Sequence, residues 1–480
     1  MRKILRGHVF NIRFLFTLCL GFASAAIHAQ VSGTFTINSA VATGGTNFQT
    51  FTAAAAFLSG GVNGPVTFNV QAGSGPYNEQ VLLSNITGTS ATNTITFNCN
   101  GVRLIFLSTN SFSRAGVKLN NTDYVTFDNL QVEPQAMNGG EYGYGFHLLN
   151  DADHNTIKNC HIINQLNFSN PETTEGIVIN GNDENPKDPG NSNCDFNLIQ
   201  QNIIEGSGIA ITLSSIPVSG AAQYMDGNIL KKNTITNWYK NGIELYYNSN
   251  TQVDGNDFTS GWENYWSCAI HLDMVNHKVA VINNRIHDMN IDPSYSGNET
   301  YGIRINSTSS AGQENLIANN AIYNWSSNWL QYGIVSVGGS FFNVYHNTVS
   351  LDDQTQVGDV SRAVSLESVS DVNFMDNIVS VSRQVATENY GIFVANAPPR
   401  FTSDHNVFYV KAGTAPKVNM GHYNGNFMNN MATWLNTTGQ DRFSYELNPS
   451  FVNSGAGNIL PTAQAIDNMA MYVNISTDIN

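Results

Sequence analysis

Charge is scarce in this sequence: Asp, Glu, Lys and Arg together make up 12 % of it. Basic residues are the scarcer kind, 21 Lys and Arg against 36 Asp and Glu, for a formal charge of −15. A surface of that sign repels nucleic acid and anionic membranes, and it opposes polyanion binding unless basic side chains are gathered locally. Cysteine is sparse too, at five residues, and none of them shows zinc-like spacing. Beyond the first thirty residues no apolar run is long enough to span a bilayer. The low charge is not that of a disordered chain, because 41 % of residues are hydrophobic and many are β-branched. Abundant Asn, Gly, Ser and Thr between them suit a β-rich repeat with many polar turns.

The amino terminus has the order of a secretory signal. Arg2, Lys3, Arg6 and Arg13 precede the apolar run Phe14–Phe22, and small residues lead to Ile27-His28-Ala29, with cleavage expected before Gln30. Loss of residues 1–29 removes four basic residues and no acidic ones, moving the formal charge from −15 to −19. The residues before Cys19 make a poor lipoprotein signal, so a soluble product, extracellular or at the cell surface, is expected. Export permits disulfides, and Cys160 and Cys194 are placed to lie on neighbouring coils. The plainer expectation is that Cys99, Cys160, Cys194 and Cys268 are small buried hydrophobes.

Internal repetition is the strongest signal. One element reads apolar-x-x-Asn-x-apolar and places Asn202, Asn233, Asn256, Asn284, Asn320, Asn347 and Asn377 in equivalent positions. Weaker copies put Asp128, Cys160 and Asn406 there, and the nine steps from Asp128 to Asn406 have a mean near 31 residues. A second element, Gly or Ala followed by apolar-x-apolar, begins at Gly145, Gly176, Gly208, Gly242, Ala269, Gly302, Gly333, Ala363 and Gly391. Each repeat therefore holds two short period-2 strands. One repeat alone buries nothing; stacked in parallel, the repeats share a core and pair every strand. The recurrent Asn is expected to form an inward ladder, and the recurrent Gly to fit a bend where a Cβ would clash. Both are architectural.

The spacing of Phe48, Phe51, Ala55 and Leu58 predicts a helix stopped by Gly60-Gly61, covering the open end of the stack. Strands are expected at Val66–Val70, Glu79–Leu83 and Thr94–Phe97. The organisation read from the chain is thus a cap and first coils over 30–120, repeats over 121–410 and an irregular cap over 411–480. The abrupt stop at Asn480 raises the expectation of a longer, multidomain surface protein.

Together the Gly-Ile-x-Leu and Asn-x-Ile coils, with Gly75-Pro-Tyr-Asn-Glu79 before a strand, resemble the pectate-lyase-like right-handed β-helix superfamily over roughly residues 60–410. The resemblance implies an all-β right-handed parallel solenoid of about ten coils. It does not imply an activity, since that superfamily includes polysaccharide lyases, glycoside hydrolases, esterases, epimerases, phage tailspikes and adhesins. The paired aspartates of the polygalacturonase type and the lyase-type Asp cluster with a downstream Arg are not recognisable. Asp352-Asp353 stands alone in a loop, so no catalytic residue is carried over.

Strand geometry alone nominates a site. In Gly-apolar-x-apolar-x the x positions face outward. Coil by coil, the first such column is expected to read Val178, Ala210, Glu244, His271, Arg304, Val335, and the second Asn180, Thr212, Tyr246, Asp273, Asn306, Val337. Glu244, His271, Arg304, Asp273 and Tyr246 are the candidate catalytic groups; Asn306, Trp238, Trp262, Trp266, Tyr301 and Trp329 are the candidate sugar contacts, since rings beside polar groups grip sugars. Two chemistries are open. In β-elimination from a uronate, Arg304 would neutralise the carboxylate while His271 or Tyr246 moves the proton. In inverting hydrolysis, Glu244 and Asp273 would be acid and base. A metal on His271, Asp273 and Glu244 lacks a tight ligand motif, and the acidic loop Asp183-Glu184…Asp188 has the residues to bind calcium, though a solvated loop is the plainer expectation. Asp257, Arg285 and His287 fall on a different face. The rival reading is a non-enzymatic adhesion or display module, in which Glu244, His271 and Arg304 are a charge ladder and the tryptophans anchor loops.

Overall fold

The computed structural model describes residues 30–165, 170–190, 192–219, 223–261, 266–289, 299–326, 329–353, 359–384, 387–411, 417–467, 469–471 and 473. The expected signal segment and Trp262 lie outside the described residues. Three long sheets of 14, 13 and 13 strands form a parallel solenoid of about twelve coils. Each coil contributes one strand to each sheet, and its apolar residues face a single interior. That core runs from Ile37 through Ile199, Ile243 and Ile303 to Trp434.

The corner between the first and second sheets carries the Asn ladder. From Asn202 to Asn406 each side-chain amide donates to the carbonyl oxygen of the next, at 2.9–3.1 Å. Each also donates to a main-chain carbonyl of the preceding coil, so these buried amides are satisfied. Cys160 takes the ladder position one coil earlier, donating its main-chain N–H to Asn202 at 2.9 Å. Asp441 takes the last one, accepting from Asn406 at 2.9 Å and from the Trp434 indole at 2.7 Å. A second, shorter series joins Asn155, Asn197 and Asn228 at another corner through main-chain N–H groups, 2.9 Å each.

At the amino-terminal end a helix spans Phe51–Phe57, capped by the Thr50 hydroxyl, and covers the first coils with Phe51 and Ala54 buried. Phe48 belongs to the strand before it. At the other end parallel pairing runs past residue 411: Lys417–Tyr423 joins the third sheet and Tyr445–Glu446 the second. The helix Met431–Thr438 then places Trp434 over the last core layer. Cys99, Cys160, Cys194 and Cys268 are all buried free thiols, so Cys160 and Cys194 are not bridged.

Candidate functional site

The third sheet presents the nominated residues. Strand Asn241–Tyr246 pairs with Trp266–Asp273, setting Glu244 opposite His271 and Tyr246 opposite Asp273. Trp266–Asp273 pairs with Glu299–Ile305, setting His271 opposite Arg304 and Trp266 opposite Glu299. Glu244, His271 and Arg304 therefore occupy one column on three successive coils. The coil before them differs from the sequence reading. Val178 pairs with Thr212, not Ala210, and Ala210 fills the inward position assigned to Gly208.

Half of this column is covered. Glu244 has no exposed surface, and Thr212 and Val178 beside it have none either. The roof is the segment after strand Glu175–Asn180, from which Lys187 reaches down to Glu244 Oε1 at 2.8 Å and to Glu172 Oε1 at 3.0 Å. Thr212 donates to Glu244 at 3.2 Å, Tyr246 at 3.4 Å and Asn241 at 2.5 Å. Burial alone would push the Lys187 ammonium down, but Glu244, Tyr246 and Glu172 hold it above its ordinary value. Glu175, also fully buried, has no hydrogen-bond partner for either carboxyl oxygen among the described residues. Burial and the neighbouring Glu244 charge raise it well above the carboxylate range; the Thr212 hydroxyl, which would lower it, donates to Glu244.

Past Glu244 the next residue of the column is still covered. His271 is 4 % exposed, and neither ring nitrogen has a hydrogen-bond partner among the described residues. Its Nε2 lies 3.9 Å from Asp273 Oδ2. Burial, then Arg304, Lys187 and Lys240, depress His271 to about 3, so the imidazole is neutral across the ordinary pH range. Arg304 is held by rings: its guanidinium carbon lies 4.7 Å from the Trp266 centroid and 5.2 Å from that of Tyr301. With the Asn306 amide oxygen turned toward it, Nε and Nη2 each donate at 3.1 Å. Among the described residues Arg304 has no carboxylate partner. Trp266 also meets His271 edge-on at 5.9 Å.

The other nominated rings divide. Tyr301 stacks on Tyr332 of the next coil at 5.2 Å and donates to Glu299. Trp329 is half-buried at the entry to strand Leu330–Val337. Trp238 is not on this face at all; it is fully buried in the core, edge-on to Phe258. In the acidic loop Asp183 is ion-paired to Lys118 and Glu184 accepts from Ser111, and among the described residues no three His, Cys, Asp or Glu side chains converge to hold a metal ion. On the second sheet, His287 is anchored at both nitrogens, to Asp257 at 2.9 Å and Asp288 at 2.7 Å. The residue missed from sequence is Lys187, whose partners are set only by the path of its loop.

Residues 175–358 match the family model described as a right-handed β-helix region. The chain folds as a right-handed parallel β-helix. This β-helix is similar to the GH136 lacto-N-biosidase from Eubacterium ramulus, with 11 % identity, TM-score 0.51, 81 % of this chain and 66 % of that chain covered. The β-helix thus spans just under two thirds of that protein's length. It is also similar to the DFA-IIIase from Arthrobacter chlorophenolicus A6, with 12 % identity, TM-score 0.42 and coverage of 82 % and 87 %. For the PL6 family polysaccharide lyase from Pseudopedobacter saltans the figures are 12 %, 0.42, 90 % and 100 %. No curated protein matches the sequence. No helix among the described residues is long and apolar enough to cross a membrane.

Proposed function

We propose that this β-helix is an exported protein that binds a uronate-containing polysaccharide on the outer face of its third sheet and cleaves it there by β-elimination. The observation that carries the reading is Arg304, a guanidinium without a carboxylate partner among the described residues, packed against the rings of Trp266 and Tyr301 beside a neutral and unpartnered His271. Arg304 would bind the uronate carboxylate and reduce its charge, making the adjacent ring proton more acidic. His271 would accept that proton as the bond to the leaving oxygen breaks and a carbon–carbon double bond forms. The imidazolium so formed is the acid that returns a proton to the leaving oxygen, with Asp273 at 3.9 Å to stabilise it. A bound carboxylate also raises His271 toward a useful basicity, offsetting the repulsion from Arg304. Hydrolysis by a Glu244 and Asp273 pair is less well supported, because Glu244 is covered and bound to Lys187.

The test is to incubate the protein with linear polyuronates and with neutral polysaccharides, following unsaturated-uronate absorbance and new reducing ends. Absorbance rising with reducing ends, lost in Arg304→Ala and His271→Ala with the fold intact, supports the reading. Reducing ends alone would return the assignment to hydrolysis. Silence from folded protein across the panel would favour the adhesion module.

A further inference from the structure

The outer face of the third sheet is unequal along its length. In the second outward column Asn180 and Ser214 are each 1 % exposed and Tyr246 6 %. Beyond Tyr246 the column opens: the side chains of Asp273 and Glu367 are 29 % and 35 % exposed, and Val337 is 45 % exposed. The step falls between two directly paired residues, Tyr246 and Asp273.

The roof that makes this step is tied down across several coils. Asp183 is ion-paired to Lys118, Glu184 accepts from Ser111 at 3.3 Å, and the Gly190 N–H donates to Ile216 at 2.9 Å. Lys187 fastens its edge nearest the open coils, to Glu172 and to the fully buried Glu244. Of these contacts the Lys187–Glu244 pair is the buried one, and breaking it would strand a charge. The roof forms a wall at this end of the face.

We infer that the groove is closed at the Lys187 end, so that it receives the terminus of a linear anionic glycan and not an internal stretch of it. The inference rests on the proposed reading of Arg304 and His271, and adds the direction of the substrate and the place of cleavage. His271 lies one strand spacing of about 5 Å from Glu244, buried beside Asp273, with which the open column begins. Arg304 follows one coil further along the open face. A chain entering from the far coils would therefore halt with its end against Lys187 and Tyr246, and be cut close to that end.

The experiment uses uronate hexasaccharides carrying a bulky fluorescent tag at the reducing end, the non-reducing end or both, with binding to the intact protein followed over short incubations. One single tag is expected to weaken binding at least about tenfold, the other to leave it within about twofold, and the double tag to behave as the harmful one. Cutting back the edge of the wall with the paired variant Lys187→Ala/Glu244→Gln, which strands no charge, should restore tolerance of that tag. Equal binding of doubly tagged and untagged hexamers would overturn the closed groove while leaving the reading of Arg304 and His271 in place. Failure of the untagged hexamer to bind would overturn both.

Discussion

The ammonium of Lys187 lies 2.8 Å from a carboxylate oxygen of Glu244, which has no solvent exposure. A carboxylate in that position is tolerable because Lys187, Thr212, Tyr246 and Asn241 all point at it. Lys187→Met keeps the length of the side chain and removes its charge. It should destabilise the protein by about 3–5 kcal/mol, the usual cost of orphaning one member of a buried pair. Glu244→Gln added to it should recover most of that loss. Urea midpoints of the three proteins check this; a single variant as stable as wild type would show that the pair is not sealed.

The same site sets an acid limit on stability. His271 is depressed to about 3 and His147 to about 4, mainly by burial, from an ordinary 6.5. Below 6.5 the unfolded chain takes up protons that the folded one refuses, so stability should fall as pH drops from 6.5 toward those values. For His147 the full effect is roughly 3 kcal/mol. Other groups contribute in the same window, so the informative quantity is a difference. His271→Gln should flatten the melting-temperature profile between pH 6.5 and about 3, and an unchanged slope would contradict a neutral buried His271.

Glu175 should show the opposite sign. Its folded-state value is raised by burial and by Glu244, so the stability it contributes is full below about 4.5 and is lost as pH rises. Glu175→Gln, which cannot ionise, should therefore stabilise the protein at pH 7 and lose that advantage below pH 4.5. Thermal melts of the two proteins at pH 4 and pH 7 separate this from a uniform packing effect, which would not change with pH.

How much of this was legible in the sequence depends on which physical rule decided each position. Period-2 alternation fixes inside from outside, so Glu244, His271 and Arg304 could be aligned from their flanking apolar residues alone, and the pairing agrees. The Asn ladder was legible because each coil must satisfy the same buried amide. The slip at Gly208 arose because two glycines serve different needs. A Cβ at Gly208 would meet the Pro171 backbone at 2.0 Å, whereas the coil's inward bend is occupied by Ala210. Trp238 was misplaced because a tryptophan after a polar turn carries no local sign of which way it packs. The roof was invisible for a similar reason: Lys187 finds Glu244 through a long loop that no repeat constrains.

Arg304 should be the residue least tolerant of a conservative change. Lysine would keep the charge but not the flat guanidinium that lies against Trp266 and Tyr301, nor the paired donors that Asn306 receives. If Arg304 binds a uronate carboxylate, Arg304→Lys should weaken binding of an anionic hexasaccharide about tenfold and Arg304→Ala about a hundredfold. Binding should also weaken with added salt in wild type and less so in Arg304→Ala. A Trp266→Ala variant separates the two contributions, because it removes the ring that orients the guanidinium while sparing its charge. Titrations at two ionic strengths check all three. If lysine substitutes fully, the stacked geometry is packing alone and the anionic contact lies elsewhere on the face.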